Sequence, residues 1–313
     1  MSWYRIASPG FVAGESGMGF LLRTASRHGV GPRQLTRHLG LRFTGEVWRG
    51  DVVLAAKSLG CEPHLLSDAL PQMPHSGCWC VGGLELASPA LLRSAWSQLC
   101  PHCLVGARYH RLVWEFSAVS VCAAHRCLLI DACPTCRLPL RWDRPAVDFC
   151  PAGHRIKPVS VYGQTTPDQR LIDFTAWISG QSPVSASRST WIDRLPREDA
   201  MALVRIAGLL SQEKSAVSAR DSRRVQSVRE CSAWVLRGFQ LLEQMDPESP
   251  SDLRRCANRL DGAALSRLAG RTRSAATRSL ALRWLSWMRR GRRTRRSSAR
   301  QQELGLSSHQ EVA

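Results

Sequence analysis

The sequence predicts a mainly α-helical protein. Helix-turn-helix-like helical regions at its N-terminal and C-terminal ends flank a small α+β module that resembles a double zinc ribbon. Three observations lead to this fold class. Apolar residues recur at helical spacing in 1–95 and 165–290, Cys and His pairs concentrate in 96–160, and a large positive charge accumulates after residue 250. The length of 313 residues suits two or three domains.

The N-terminal region, 1–95, has two predicted pairs of short helices. One helical face follows from apolar residues at i, i+3, i+4 and i+7, namely Met18, Leu21, Leu22 and Ala25. Gly29 suits the position after that helix, Pro32 the first turn of the next, and Gly40 its end. A second pair is predicted at 51–59 and 63–70. Two helices across a glycine turn have a helix-turn-helix outline, and a helical bundle without any DNA-reading role fits the same pattern.

The middle of the chain, 96–160, lacks helical periodicity. Residues 71–83, rich in Pro, Gly, Ser, His and Cys, are predicted to form a loop before it. Residues 112–121 are predicted to form short strands between cysteine turns.

Two consecutive Cys/His sets dominate this middle module. The first reads C-x2-C, 18 residues, C-x2-H, and the second reads C-x2-C, 13 residues, C-x3-H. The eight candidate metal ligands are Cys100, Cys103, Cys122, His125, Cys133, Cys136, Cys150 and His154. Two residues between ligands let a tight turn aim both at one ion, and three Cys with one His complete a zinc tetrahedron. We therefore expect two structural Zn²⁺ ions, each in a closed site without an open position for water.

Other assignments of these residues fit less well. A redox Cys-x-x-Cys would follow a strand in a βαβ unit, and a zinc deaminase needs His-x-Glu upstream of Pro-Cys-x-x-Cys; the sequence has neither. His102 or His110 could replace His154 as the last ligand. Cys127 is expected to be a buried thiol rather than a ligand. Cys78 and Cys80 with His75 have poor spacing for a third site.

The C-terminal region, 165–290, is predicted to be helical again. Thr166, Pro167 and Gln169 have the composition of a helix start, with Thr166 as the N-cap. A Ser-rich linker is predicted at 181–190. Further helices are predicted at about 197–212, 227–245, 251–260 and 263–288, with a break at 246–250. The last residues, 291–313, are polar and are expected to be a disordered tail.

Positive charge is concentrated in this region. Only three of the 43 basic residues are Lys, and codon bias explains that preference as readily as function does. The distribution is more informative, because 251–300 holds fifteen Arg against two acids, or +13 of the net +18. Such a field attracts phosphate backbones.

An apolar face at Ala276, Leu280, Trp284 and Trp287 predicts a helix, and Gly270 could form a turn before it, again in a helix-turn-helix outline. We expect the arginines beside this face to contact nucleic acid phosphates. A solvated helix face with a charged tail, or an anionic membrane surface, are the alternatives. The candidate nucleic-acid-binding residues are Arg271, Arg273, Arg278, Arg283, Arg289, Arg290, Arg292 and Arg293.

Several classes of protein are excluded by motif. Residues 1–16 lack the basic and apolar segments of a secretory signal, and the longest mostly apolar run, 201–210, is interrupted by Arg205. A cytoplasmic protein with reduced thiols is expected. No Gly-Lys-Ser/Thr phosphate loop is present, so the chain is not a P-loop NTPase.

The cysteine module resembles the TniQ/TnsD family of transposition target-selection proteins. The resemblance rests on Cys100-Pro101-His102-Cys103-Leu104, Tyr109, Trp114, Cys122-Ala123-Ala124-His125, Leu129 and Cys133-Pro134-Thr135-Cys136. The start of the chain is similar too, through Pro9-Gly10, Glu15-Ser16, Leu22, Arg23 and Ala25. The whole resemblance covers about residues 8–160. The sequence departs from the family's usual pattern at Gly17-Met18-Gly19-Phe20.

The resemblance implies a non-enzymatic adaptor. Such proteins mark a DNA target directly or through an RNA-guided targeting complex, and they recruit an AAA+ ATPase that brings the transposase. Some dimerise, so a homodimer is an open expectation, and no membrane partner is expected. Two rival hypotheses come from other classes: a zinc-containing transcription regulator that binds DNA alone, and a zinc or thiol enzyme with an open metal position.

Overall fold

The structure is a computed structural model that describes residues 6–43, 48–73, 78–93, 96–158, 167–181, 191–210, 227–245 and 260–289. About half of these residues are helical. The strands form three two-stranded antiparallel sheets. Within the described residues, no helix has the length and apolar character needed to cross a bilayer.

Eight helices follow one another up to residue 243 of the described chain. They are α1 (Gly17–Arg27), α2 (Pro32–His38), α3 (Val52–Leu59), α4 (Pro63–Ala69), α5 (Pro101–Gly106), α6 (Gln169–Ile178), α7 (Arg197–Leu210) and α8 (Val228–Glu243). A helix at Gly262–Arg271 and a further one at 275–289 come after them. Short 3-10 helices lie at Pro89–Leu91, Leu112–Glu115 and Trp191–Arg194.

The chain divides into two compact units. The first combines Met1–Ser189 with Ala216–Leu236, and the second combines Thr190–Ser215 with Arg237–Ala313. The division falls inside α8, after Leu236. Both metal-ligand sets belong to the first unit.

The two predicted helix pairs at the N-terminal end are confirmed as α1–α2 and α3–α4. Ser16 caps α1 by accepting a hydrogen bond from the Gly19 amide. Gly29 and Gly40 have positive φ angles of 63° and 68°, which ends each helix of the first pair in the left-handed conformation that glycine adopts easily. Asp51 caps α3.

One apolar core joins these four helices and the first hairpin. Its buried members come from the four helices, the second strand of the hairpin and the adjoining turns: Phe20, Leu21, Ala25, Leu35, Leu39, Leu41, Trp48, Val52, Ala55, Ala56, Leu59, Leu66 and Leu70. The hairpin pairs β1 (Arg42–Phe43) with β2 (Trp48–Arg49). This core fixes α1 and α2 against the hairpin.

The glycines at the start of α1 are required by close packing. A Cβ at Gly17 would lie 2.6 Å from the Leu70 side chain, and one at Gly19 would lie 2.6 Å from the His110 Cβ. Since real Cβ atoms do not approach so closely, a better helix former would push α1 away from both neighbours. This accounts for the two glycines in the segment 17–20.

Two predictions between residues 71 and 121 need correction. The predicted loop at 71–83 contains a strand, because β3 (Trp79–Val81) pairs with β4 (Leu84–Leu86) across a Gly82-Gly83 turn. In the segment 112–121, where strands were predicted, Leu112–Glu115 form a 3-10 helix and only Val121 belongs to a strand, as the first residue of β5 (Val121–Cys122). Trp114 and Phe116 are apolar because they are buried in the core, and this burial does not require the segment to be a strand.

The start of α6 also differs from its prediction. Asp168 is the N-cap and accepts a hydrogen bond from the Arg170 amide. The predicted cap, Thr166, lies outside the described residues. Asp and Thr both cap helices, so composition alone did not separate two starts that are two residues apart.

The second unit contains α7, the C-terminal end of α8 and the last two helices. Gly238 of α8 packs directly on the Val204 backbone of α7. The buried Asp199 carboxylate accepts a 2.7 Å hydrogen bond from the Thr272 hydroxyl, which ties α7 to the end of helix Gly262–Arg271. Of the helix predicted at 251–260, only Leu260 is described.

The turn between the last two helices lies at 272–274, not at Gly270, which is still helical. The buried face of the 275–289 helix consists of Thr277, Leu280, Ala281, Trp284 and Met288. Ala276 is exposed and Trp287 is half-buried, so the predicted face was rotated slightly. Small residues fit against neighbours at positions 277 and 281, where side-chain hydrophobicity alone does not indicate burial.

Candidate metal centres

The first Cys/His set converges at the junction of a helix and a hairpin. Cys100 is the N-cap residue of α5, and Cys103 lies in its first turn. Cys122 ends strand β5 (Val121–Cys122), and His125 lies in the turn before β6 (Cys127–Leu128). Arg126, in the same turn, has a positive φ of 48°.

The four ligand atoms lie at zinc-like distances. The Cys103 and Cys122 sulfurs are 3.6 Å apart, and the His125 Nδ1 lies 3.6, 3.2 and 3.5 Å from the sulfurs of Cys100, Cys103 and Cys122. A zinc tetrahedron with ordinary bond lengths separates two sulfurs by about 3.8 Å and a sulfur from a nitrogen by about 3.5 Å. The three cysteines are buried and His125 is exposed.

The second set converges between two tight turns. Arg137 closes the first turn by donating its amide to the Cys133 carbonyl, with a φ of 63°. Cys136 and Cys150 have sulfurs 3.8 Å apart, and the His154 Nδ1 lies 3.5 Å from the Cys150 sulfur. All four ligand atoms of Cys133, Cys136, Cys150 and His154 lie within 4.8 Å of one another.

Both clusters therefore fit a four-coordinate zinc ion. Three thiolates and one imidazole fill all four positions, so the donor set suits a structural ion. Hydrogen bonds from the Cys100 and Cys103 thiols lower the pKa of Cys122, while hydrogen bonding to Cys100 raises the pKa of Cys103. A bound cation would replace the protons that these thiols share.

His102 and His110, the alternatives to His154 as the last ligand of the second cluster, do not lie beside that cluster. His110 is fully buried, its Nδ1 is 3.0 Å from the Ser16 hydroxyl, and its Nε2 is 2.9 Å from the Gln98 carbonyl. The His102 ring stacks on His125, with centroids 5.5 Å apart, beside the first cluster and not the second. The Cys127 sulfur lies 3.7 Å from the Cys100 sulfur, as a buried thiol against the first cluster.

Among the described residues, the two clusters are the only Cys/His/acid groups with metal-binding spacing. Cys78 and Cys80 belong to no such group, and His75 lies outside the described residues.

The sequence patterns did not predict a buried polar network beside the first cluster. The Gln98 carbonyl leaves Nε2 as the donor nitrogen of His110, so the Ser16 hydroxyl donates to Nδ1. Burial lowers the pKa of His110 to about 3, so the ring is neutral at physiological pH. Glu115 nearby is also buried, and desolvation raises the pKa of its carboxyl to about 8. This network joins α1 to the metal module.

Glu15 and Arg23 form a second polar contact, which lies within the N-terminal region itself. The Arg23 guanidinium donates two 2.6 Å hydrogen bonds to the two carboxylate oxygens of Glu15. Burial raises the pKa of Glu15, and Arg23 partly offsets that shift. Glu15, Ser16 and Arg23 carry part of the family resemblance, and their contacts explain that part structurally: they fasten α1.

The metal module also holds the start of α8. The Asp131 carboxylate, between the two clusters in sequence, accepts hydrogen bonds from the Val228 amide at 2.8 Å and from Arg93 Nη2 at 3.1 Å. An anionic side chain at a helix N-terminus is favourable because the helix dipole is positive there. Long-range partners of this kind have no local signal in the sequence.

Five of the predicted nucleic-acid-binding arginines lie on the last two described helices or in the turn between them. Arg273, Arg278, Arg283 and Arg289 are exposed and Arg271 is half-buried. Arg278 also donates to the carbonyls of Ala269 and Thr272, so it closes the end of the preceding helix. Arg290, Arg292 and Arg293 lie outside the described residues.

Comparison with known sequences gives one family. The sequence model of the TniQ family matches residues 7–129. The match includes the four N-terminal helices and the whole first cluster, and it ends before the second cluster and the C-terminal helices. A search of curated proteins finds no match.

Proposed function

We propose that this TniQ-family protein, through its domain at residues 7–129, acts as a non-enzymatic adaptor that links target DNA to an AAA+ transposition ATPase. The TniQ domain is a non-catalytic accessory domain of transposition and indicates a role in target selection. The adaptor activity, the ATPase partner and the cytoplasmic site of action belong to the proposal.

The observation that carries the proposal is the first metal cluster inside the matched domain. Its closed Cys3His set supplies no open coordination position, so it suits a platform rather than a catalyst. The His110–Ser16 contact and the Asp131–Val228 contact attach helices to this platform. Helices held in this way can present fixed surfaces to DNA and to proteins.

DNA contact is proposed for the C-terminal helices. Arg283 and Arg289 are exposed on the 275–289 helix, outside its buried face. Phosphate contacts of this kind position a protein on a duplex without reading its sequence. Target choice would then depend on other surfaces, on a transposase or on an RNA-guided targeting complex.

The test is cross-linking of the zinc-loaded chain to the AAA+ ATPase encoded with it, on DNA and with ATP, ADP or no nucleotide. We expect a cross-linked complex that needs DNA, and an ATPase from an unrelated element serves as the control. Absence of association under every nucleotide condition would contradict the adaptor role.

The second candidate function is a stand-alone, zinc-containing transcription regulator, which the exposed arginines also support. It predicts a sequence-specific footprint at a promoter by the chain alone. A footprint that requires the ATPase favours the adaptor, and one that does not favours the regulator.

A further inference from the structure

The first unit contains a groove that neither metal centre uses. It has a volume of about 680 Å³ and lies between α1, α2, the β1–β2 hairpin and residues 141–143. This volume falls within the range of about 300–1,000 Å³ that is typical of ligand sites. Aliphatic side chains of Met18, Leu21 and Leu41 contribute to its lining, so it offers apolar contact to a bound group.

The rim of this groove is positively charged. Arg33, Arg37, Arg42 and Arg141 line it and are all exposed. Asp143 is the one acid among the described lining residues, and its carboxylate lies 3.2 Å from Arg33 Nε. The groove therefore combines an apolar interior with an excess of positive charge at its mouth.

One wall of the groove is held in place before any ligand binds. Trp142 is contacted edge-on by the His110 ring, with centroids 4.7 Å apart, and by the Arg144 guanidinium, 5.3 Å from its ring centroid. Arg144 itself donates to the Ser97 hydroxyl and to three backbone carbonyls, those of Leu140, Arg141 and Ala146. A preformed wall lowers the entropy that binding would lose.

The aromatic residues are not arranged for stacking of nucleic acid bases. Trp48 is only 7% exposed, and Phe43 tilts against it with centroids 5.4 Å apart. The Trp142 ring is half-buried and already packs against His110 and Arg144. Base-stacking platforms need open ring faces, whereas duplex DNA has no apolar side chain to place in a cavity.

We propose that this groove docks a peptide segment of a partner protein, in which acidic residues flank a bulky apolar anchor. The anchor fills the apolar interior, and the acidic residues meet the four rim arginines. Charge complementarity at a rim speeds association and selects the partner, while the buried anchor supplies most of the affinity. This inference does not depend on the proposed role in transposition.

The test uses displayed random peptides of about twelve residues, long enough for a helix or strand to span a groove. The bait is the full zinc-loaded chain. We expect selected peptides to share Asp or Glu around a Trp, Phe, Leu or Ile, and we would then measure their synthetic forms by fluorescence polarisation.

Two matched double variants separate specific docking from general charge. Arg37→Glu with Arg42→Glu reverses the rim and should weaken peptide binding by about tenfold or more. Arg27→Glu with Lys57→Glu makes the same change in net charge at exposed positions outside the groove and should leave binding within about twofold. Phe43→Ala should weaken peptide binding and leave the zinc content unchanged. An unchanged zinc content reports that the metal module remains folded.

Three outcomes would overturn the proposal. These are no enrichment of any peptide, enriched peptides that bind the rim-reversed variant as well as the parent, and a single-stranded oligothymidylate that competes for the groove at equal or higher affinity. The last outcome would assign the groove to nucleic acid.

Discussion

At the scale of single residues, buried polar contacts fix α1, and one of them joins it to the metal module. Ser16 caps the helix and donates to His110, and Glu15 holds Arg23. Sequence patterns could predict the Cys/His ligands, because their spacing is local. They could not predict that His110 is a neutral structural residue, since its partners Ser16 and Gln98 are 94 and 12 residues away.

Glu115 provides a test of this buried environment. Its pKa is about 8 in the folded chain against an ordinary value of 4.5, so the folded state holds a proton that the unfolded state has lost. The stability contribution of this group is therefore greatest below about pH 4.5 and falls as the pH rises towards about 8.

Glu115→Gln should remove this pH dependence. The free energy of unfolding of the variant minus that of the parent should increase by about 1–3 kcal/mol between about pH 6 and about pH 8. Urea unfolding with saturating zinc measures it. The control is Glu62→Gln at an exposed position, and an equal pH dependence of the parent and the Glu115 variant would contradict the account.

At the scale of elements, the helices with clear caps were predictable and the irregular segments were not. The Gly29, Pro32 and Gly40 signals placed α1 and α2 correctly because glycine and proline act locally on the backbone. The prediction of strands at 112–121 was wrong. Trp114 and Phe116 are apolar because tertiary contacts bury them, and they lie on an irregular segment that does not alternate as a strand does. The turn was predicted at Gly270 but lies at 272–274, because Gly270 can remain within a helix.

Gly238 tests the packing of α8 on α7 in the second unit. Gly238→Ala places a Cβ against the Val204 carbonyl and should destabilise the protein by about 1–3 kcal/mol. Thermal unfolding measures the loss.

Gly270→Ala is the matched control. This glycine is helical with nothing within 4 Å of the added Cβ, so alanine should stabilise the protein by about 0.5–1 kcal/mol. If both variants shift stability in the same direction, the close approach of the two helices is wrong.

At the scale of the whole molecule, net charge and metal dominate the physical behaviour. The net charge of +18 is far from neutral and concentrated towards one end of the chain, so binding to DNA should depend strongly on salt. The location of this charge was readable from the sequence, but which arginines are exposed was not. Arg278 shows the difference, because it closes a helix as well as facing solvent.

Exposed arginines on the last helix should contribute phosphate contacts. Arg283→Gln with Arg289→Gln should weaken binding to duplex DNA and make the slope of log K against log salt shallower by about 1–2. Fluorescence anisotropy over a salt series measures both quantities. Arg194→Gln, at an exposed position of another element, should leave them nearly unchanged, and an equal effect of both substitutions would argue for general charge alone.

Zinc content is the most direct test of the account, because the two Cys3His clusters hold the module to which the helices attach. We predict about two zinc ions per chain by atomic spectroscopy, and about one in each of Cys103→Ala and Cys136→Ala, since each removes one ligand of a separate closed site. One ion or none in the parent chain, or loss of both ions in either variant, would contradict two independent structural sites.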